Sequence, residues 1–401
     1  MSDCTPPGAV PASAAPGVPD ELRLARAYLA GVAEPPAPAL VEFVARVGVL
    51  EAADRVRRGS VPASVTAVTE ARREQRCGVS DLRAAEALGA RLVMPEDDEW
   101  PSAAFLAFDY CGCEHLAPPL ALWVRGPARL CEVVERSVAI VGARAATDYG
   151  NHVATDLAHG VARRGCTVIS GAAYGIDGAA HRGALAADGV TIAVLACGLD
   201  RAYPAGHTRL LARIGEQGLV VSEYSPGTLP ARHRFLVRNR IIAGLAAGTV
   251  VVEAGWRSGS RRTASDAGLL GRPVMAVPGP VTSAQSVGCH HLLREPGTVP
   301  VTRAEEVIEA IGRIGEDLSP PLPGMSGLSP VRATDALSTT ALRVHEALPR
   351  QGEREPQALS VESGLPVELV RAALPELVRS GLVERSAGGW RRTGGGARGG
   401  A

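Results

Sequence analysis

Residues 138–144 read VAIVGAR, residues 167–171 read TVISG, and residues 191–198 read TIAVLACG. Each is a short, unbroken apolar run that stops at a glycine turn. Two stretches of helical length, about 149–164 and 176–187, separate them. Strands buried on both faces read as continuous apolar runs, and repeated strand–helix units predict a parallel sheet covered on both sides. The pattern continues at Leu219–Val221, Thr249–Val252 and Val274–Val277, with helical spacers near 207–217, 237–247 and 261–271. The expected class is α/β, with a doubly wound parallel sheet. Strand ends run into Gly142, Gly171, Gly198, Glu223 and Gly279. Ligands of open α/β sheets sit at such carboxyl ends, so these turns are the first place to look for function.

Outward from this middle, residues 1–19 are rich in Pro and Ala and read as a disordered tail, not as a secretory leader. Residues 20–95 carry helical periodicity, residues 96–135 a proline-bearing connection, and residues 136–311 the sheet domain. Residues 312–336 form a linker rich in Pro, Gly and Ser. Three helices (Thr339–Leu348, Pro356–Ser363, Val367–Ser380) and a hairpin over Leu382–Thr393 predict a winged helix across 337–393. Residues 394–401 are a Gly-rich tail. No run of about 18 apolar residues exists, which argues against a membrane helix. Scattered cysteines place the chain in a reducing cytoplasm.

The 401 residues hold 42 basic and 42 acidic side chains, and every basic one is arginine. An anion site here must therefore use planar guanidinium forks or backbone amides. Net neutrality hides an asymmetry. Residues 136–300 hold 17 arginines against 10 acids, a balance of +7, whereas residues 1–110 stand at −5. Arg232, Arg234, Arg238 and Arg240 crowd one window, and Arg257, Arg261 and Arg262 another. A local basic patch on a neutral chain suits a polyanion in one groove; a solvated arginine face is the plainer alternative.

Arg144 leaves the first strand, placed to clamp a phosphate, stack on a base, or pair with a nearby acid. No Gly-x-Gly-x-x-Gly fingerprint accompanies it. The second turn, Gly171 to Gly175, leads to Asp177 and His181. These two are either an acid–base pair or a cap and a helix–sheet anchor. Ser258-Gly259-Ser260 opens a helix and offers free amides to an anion, or simply caps it. Phe235 among arginines fits the recipe for single-stranded nucleic acid, aromatic for base and arginine for phosphate; otherwise it is core. Cys111, Cys113 and His115, with Cys77 or Cys131, make a weak zinc pattern, and no metal or cofactor is expected. Neither a Walker A lysine nor a Gly-x-Ser-x-Gly elbow is present.

The ordered turns, from Val141 to Arg144, Ser170 to Asp177, Ser222-Glu223, Arg238 to Ala243, Val252 to Ser260 and Val277 to Gly279, resemble the DprA/Smf family of DNA-processing proteins. That resemblance implies an extended Rossmann-like domain flanked by a SAM-like helical domain and a winged helix. It implies a non-catalytic homodimer that binds single-stranded DNA, protects it, and helps load RecA in recombination, as in natural transformation and competence. The implied contacts fall on Arg144, Arg232, Phe235 and Ser258-Gly259-Ser260, with Arg238, Arg240 and Arg261 beside them. Gly142, Gly171, Gly175, Asp177 and Glu223 would shape the turns. His207 and His290 stand where asparagine is usual, and Leu236 where proline is common. The competing reading is an enzyme, a nucleotide or ribose-phosphate hydrolase on a related fold. Its motif carries a glutamate that the turn from Gly255 to Thr263 lacks.

Overall fold

The computed structural model describes residues 20–75, 78–312, 317, 334, 337–349 and 352–393. The chain divides into two compact units, one reaching residue 319 and the other beginning at residue 320. The expected tails 1–19 and 394–401, most of the expected linker 312–336, and Cys77 lie outside the described residues.

The first unit is built on a nine-stranded sheet. Its strands are β1 (Ala90–Val93), β2 (Leu122–Arg125), β3 (Ser137–Val141), β4 (Thr167–Ser170), β5 (Thr191–Leu195), β6 (Leu219–Ser222), β7 (Thr249–Val251), β8 (Val274–Ala276) and β9 (Thr298–Pro300). They lie in the order β1-β2-β6-β5-β4-β3-β7-β8-β9. From β6 to β9 every pair is parallel; β1–β2 and β2–β6 are antiparallel. The sheet is therefore mixed rather than wholly parallel, and three strands extend the six expected ones. They lie at the two edges of the sheet, where pairing with an existing strand defines them more than an apolar run does. β1 and β2 are four residues each and end in or contain arginine, and β9 is three residues closing on a proline that an edge strand tolerates. The segment 96–135, expected to be irregular, holds β2 and helices Ser102–Tyr110 and Leu130–Val134. Similarly, β1 lies inside the stretch expected to be purely helical.

Side-chain alternation along β3 shows why both faces are covered. Ala139 and Val141 point into one core, with Ile241, Ile242 and Leu245 of helix Arg232–Leu245 and Phe105 and Phe108 of helix Ser102–Tyr110. Val138 and Ile140 point into the other, with Leu157 of helix Asp148–Ala162 and Ile176 of helix Ile176–Ala186. The amino-terminal helices keep a core of their own around Tyr28, Leu29, Leu40, Phe43 and Val56. They are joined to the segment after β1 by Arg23–Asp97 at 2.7 Å and Arg26–Glu96 at 2.6 Å.

The second unit has helices Thr339–Ala347, Pro356–Ser363 and Val367–Arg379, and a hairpin of β10 (Val383–Ser386) and β11 (Gly389–Arg392). Ala341, Val344, Leu359, Val370, Leu374 and Leu377 close its core.

Candidate functional site

The chain reverses direction across the sheet at β3: β4 lies on one side of it and β7 on the other. Such a switch point leaves a crevice beyond the strand ends. Here the crevice is a cleft of about 410 Å³, walled by the turns after β3, β4 and β7 and by helix Arg232–Leu245. Two glycines let its walls approach. A Cβ on Gly142 would overlap the Ile176 side chain, and one on Gly175, at φ +75°, would overlap the Ala143 carbonyl. Glu253, 1% exposed at the end of β7, accepts from the Thr147 amide at 2.9 Å and the Thr147 hydroxyl at 2.6 Å. That same hydroxyl accepts from the Gly150 amide, capping helix Asp148–Ala162. One buried carboxylate thus fixes the turn after β3 against the turn after β7.

Arg144 and Phe235 meet at the mouth. The Arg144 guanidinium lies 5.2 Å from the Phe235 ring centroid, and the Tyr203 ring sits 5.2 Å from Phe235 on a tilt of 42°. Arg144 and Arg257 line the cleft and are exposed, Arg232 is exposed on the same helix as Phe235 outside the lining, and among the described residues none of the three has an acidic partner. Unpaired guanidinium groups beside a half-buried ring leave charge available to an incoming anion. Ser258 caps helix Gly259–Leu269: its hydroxyl accepts from the Ser260 amide and lies 2.7 Å from the Ser260 hydroxyl. No atom crowds Gly259, so that helix end is open to the cleft.

Other expected contacts sit elsewhere. Arg238 is 6% exposed and donates to the carbonyls of Gly171 and Val194, the former at 2.8 Å. Burial lowers its pKa to about 10, against the pull of Asp177. Arg240 is 2% exposed and pairs with Glu223 at 2.5 Å. Arg240 was expected at the DNA and is a core residue instead, because the helix turns it inward to a carboxylate that would otherwise be stranded. Arg238 edges the cleft, but its Nη1 is committed to the two strand-end carbonyls. Arg261 donates to the Trp256 carbonyl at 2.9 Å and covers the Trp256 ring from 5.3 Å, outside the cleft lining.

Asp177 and His181 are both buried, and their partners lie in the turn and the sheet. Asp177 accepts from the amides of Gly171 and Ala173, and burial raises its pKa against the field of Arg238. The Thr191 hydroxyl donates to the Val168 carbonyl, so His181 Nδ1–H must be the donor in its 2.7 Å contact with Thr191. Burial holds that imidazole neutral, with a pKa near about 3. They are a turn anchor and a helix–sheet anchor. Among the described residues no cluster of His, Cys, Asp or Glu suits a metal ion. Cys111 points at the Phe108 carbonyl, His115 lies 3.6 Å from Asp266, and burial pushes the Cys289 thiol up to about 12.

Three features escaped sequence reasoning. Glu34, from the amino-terminal helices, accepts from Arg234 at 2.7 Å and Arg72 at 2.5 Å and lies 3.1 Å from His233, so it grips the first turn of helix Arg232–Leu245. Tyr203 supports Phe235, and Trp256 stands exposed at the rim. Only the aromatic scarcity of the chain, 3% in all, could have flagged the last two.

Residues 91–312 match the family described as DNA recombination-mediator protein A. The DNA processing protein DprA of Mycobacterium tuberculosis is 51% identical over 378 residues, spanning 93% of this chain and 95% of its own length. Protein Smf of Escherichia coli is 37% identical, over 75% of this chain and 77% of its own. A crystal structure of DNA processing protein A from Streptococcus pneumoniae superposes with a TM-score of 0.59 at 32% identity, covering 73% of this chain and 98% of that one.

Proposed function

The chain belongs to the DNA recombination-mediator protein A family, and from that premise we propose that its switch-point cleft binds single-stranded DNA. The observation that carries the reading is the pairing of Arg144 with Phe235 at the cleft mouth. A base stacks on Phe235 in the manner sequence-tolerant single-strand proteins use. Phosphates meet the guanidinium groups of Arg144, Arg232 and Arg257 and the amides at Ser258–Ser260, where the helix dipole also favours an anion. Rigid turns hold these groups before the strand arrives, which lowers the ordering cost of binding. In this reading the protein is a recombination mediator that shelters a strand in the cytoplasm and passes it to RecA, as in natural transformation. It works as a homodimer, and the carboxy-terminal unit is a winged helix that meets protein partners.

Hydrolysis is the weaker reading. The cleft lining includes one carboxylate, Asp177, whose Oδ2 accepts from the Gly171 and Ala173 amides. A general base needs a lone pair facing substrate and a pKa near the working pH.

Fluorescence anisotropy with mixed-sequence single-stranded and duplex oligonucleotides, across a salt series, tests the proposal. Single strands are expected to bind more tightly, with affinity falling linearly in log salt. Arg144→Ala and Arg232→Ala should each weaken every sequence alike and reduce the salt slope by about one. Equal or better duplex binding, or a loss confined to particular sequences, would overturn it.

A further inference from the structure

Four tryptophans occur in the chain. Trp123 and Trp100 are buried and Trp390 is half-buried in the second unit, but Trp256 is 59% exposed. Indole is among the largest apolar surfaces a protein can show to water, and tryptophan is enriched where one face meets a partner. Trp256 is flanked by Gly255 and Arg257, both of which line the cleft, so it stands on the cleft's rim.

The ring is held in place. The Arg261 guanidinium covers it from 5.3 Å and the His291 ring meets it edge-on at 5.4 Å. Arg261 also donates to the Trp256 carbonyl at 2.9 Å and lies 3.2 Å from His291 Nδ1, so backbone and ring are braced together. A guanidinium packed against an indole strengthens it as a platform, because a further ring can complete the stack. Arg257 follows immediately, exposed and without an acidic partner among the described residues. A guanidinium over an aromatic ring is the arrangement that Arg144 makes with Phe235 and Arg261 with Trp256, and Arg257 adds an uncommitted cation beside the second ring.

We propose that Trp256 is a second base-stacking platform, extending the single-strand track from Phe235 at the cleft mouth over the Gly255–Ser258 loop, with Arg257 taking the intervening phosphate. This rests on the single-strand reading of the cleft and assigns its outward direction. Two rings in series stack two bases of one strand, so the benefit of Trp256 depends on strand length. A strand that only fills the cleft cannot reach it.

The experiment uses the full chain and its Trp256→Ala, Trp256→Phe and Phe235→Ala variants. Binding is measured to oligothymidylates of about four and about sixteen nucleotides, the span of single-strand site sizes. Loss of one stacked base should cost roughly tenfold in affinity. The expected result is that Trp256→Ala weakens the long strand roughly tenfold and leaves the short one unchanged. Trp256→Phe should keep most of that affinity while losing the quenching of tryptophan emission that the strand causes in the parent protein. Phe235→Ala should weaken both lengths. Unchanged long-strand affinity in Trp256→Ala overturns the extension and leaves the cleft reading standing, provided Phe235→Ala still loses binding. Equal weakening at both lengths also overturns it, since Trp256 would then act by shaping the Ser258 cap. Failure of the parent protein to bind either strand removes both readings together.

Discussion

Arg144 and Arg238 carry the same guanidinium and do opposite work. Arg144 is exposed over an aromatic ring, whereas Arg238 is buried with its donors on the Gly171 and Val194 carbonyls. Arg144→Ala should leave stability within about 0.5 kcal/mol, as surface changes do, while binding suffers. Arg238→Ala strips a buried cation from beside Asp177 and leaves two carbonyls without donors. Its cost should reach about 3–5 kcal/mol, read as a lower urea midpoint. Gly171 belongs to the same arrangement, since a Cβ there would overlap the Arg238 guanidinium. Composition and spacing identified an arginine-rich window but not which members face water. That depends on the angle at which the helix meets the strand ends and on which side of the helix each arginine falls.

Helix Arg232–Leu245 is the element on which the site turns. Its apolar second half, Ile241 to Leu245, was legible as a helix near 237–247, but its true start lies five residues earlier. Three of its first five residues are Arg232, His233 and Arg234, which carry no apolar periodicity. Glu34 anchors this polar turn from a distant part of the chain. Burial by itself would raise the Glu34 pKa, but hydrogen bonds from Arg234, Arg72 and His233 outweigh it and pull the value to about 2. A carboxylate with a depressed folded pKa adds stability above its unfolded value near 4.5 and loses that contribution as pH falls towards 2. Glu34→Gln should therefore be less stable at neutral pH. Urea melts across that acid range should show a shallower decline than the parent protein, the two curves meeting at the acid end. Parallel curves would mean that Glu34 anchors nothing.

At the scale of the molecule, every group assigned to the cleft lies in the first unit, between Val141 and Gln285. A chain ending at residue 319 should keep the single-strand affinity and its salt slope in the anisotropy assay. A large loss would give the second unit a direct part in binding. The six parallel strands β3 to β8 and the carboxyl-edge turns were determined by sequence alone, because a strand buried on both faces must be an unbroken apolar run and a crossover needs a helix-length spacer. β1, β2 and β9 were decided only by the tertiary structure. Each lies at an edge of the sheet or next to one, and pairing with an existing strand is what makes it a strand. The same division holds for the site. The Ser258–Ser260 cap and the Arg144 turn are local and could be read from adjacent residues. The Arg144–Phe235–Tyr203 stack, the Glu34 anchor and the braced Trp256 join residues far apart in the chain, and distances between them exist only once the sheet is assembled.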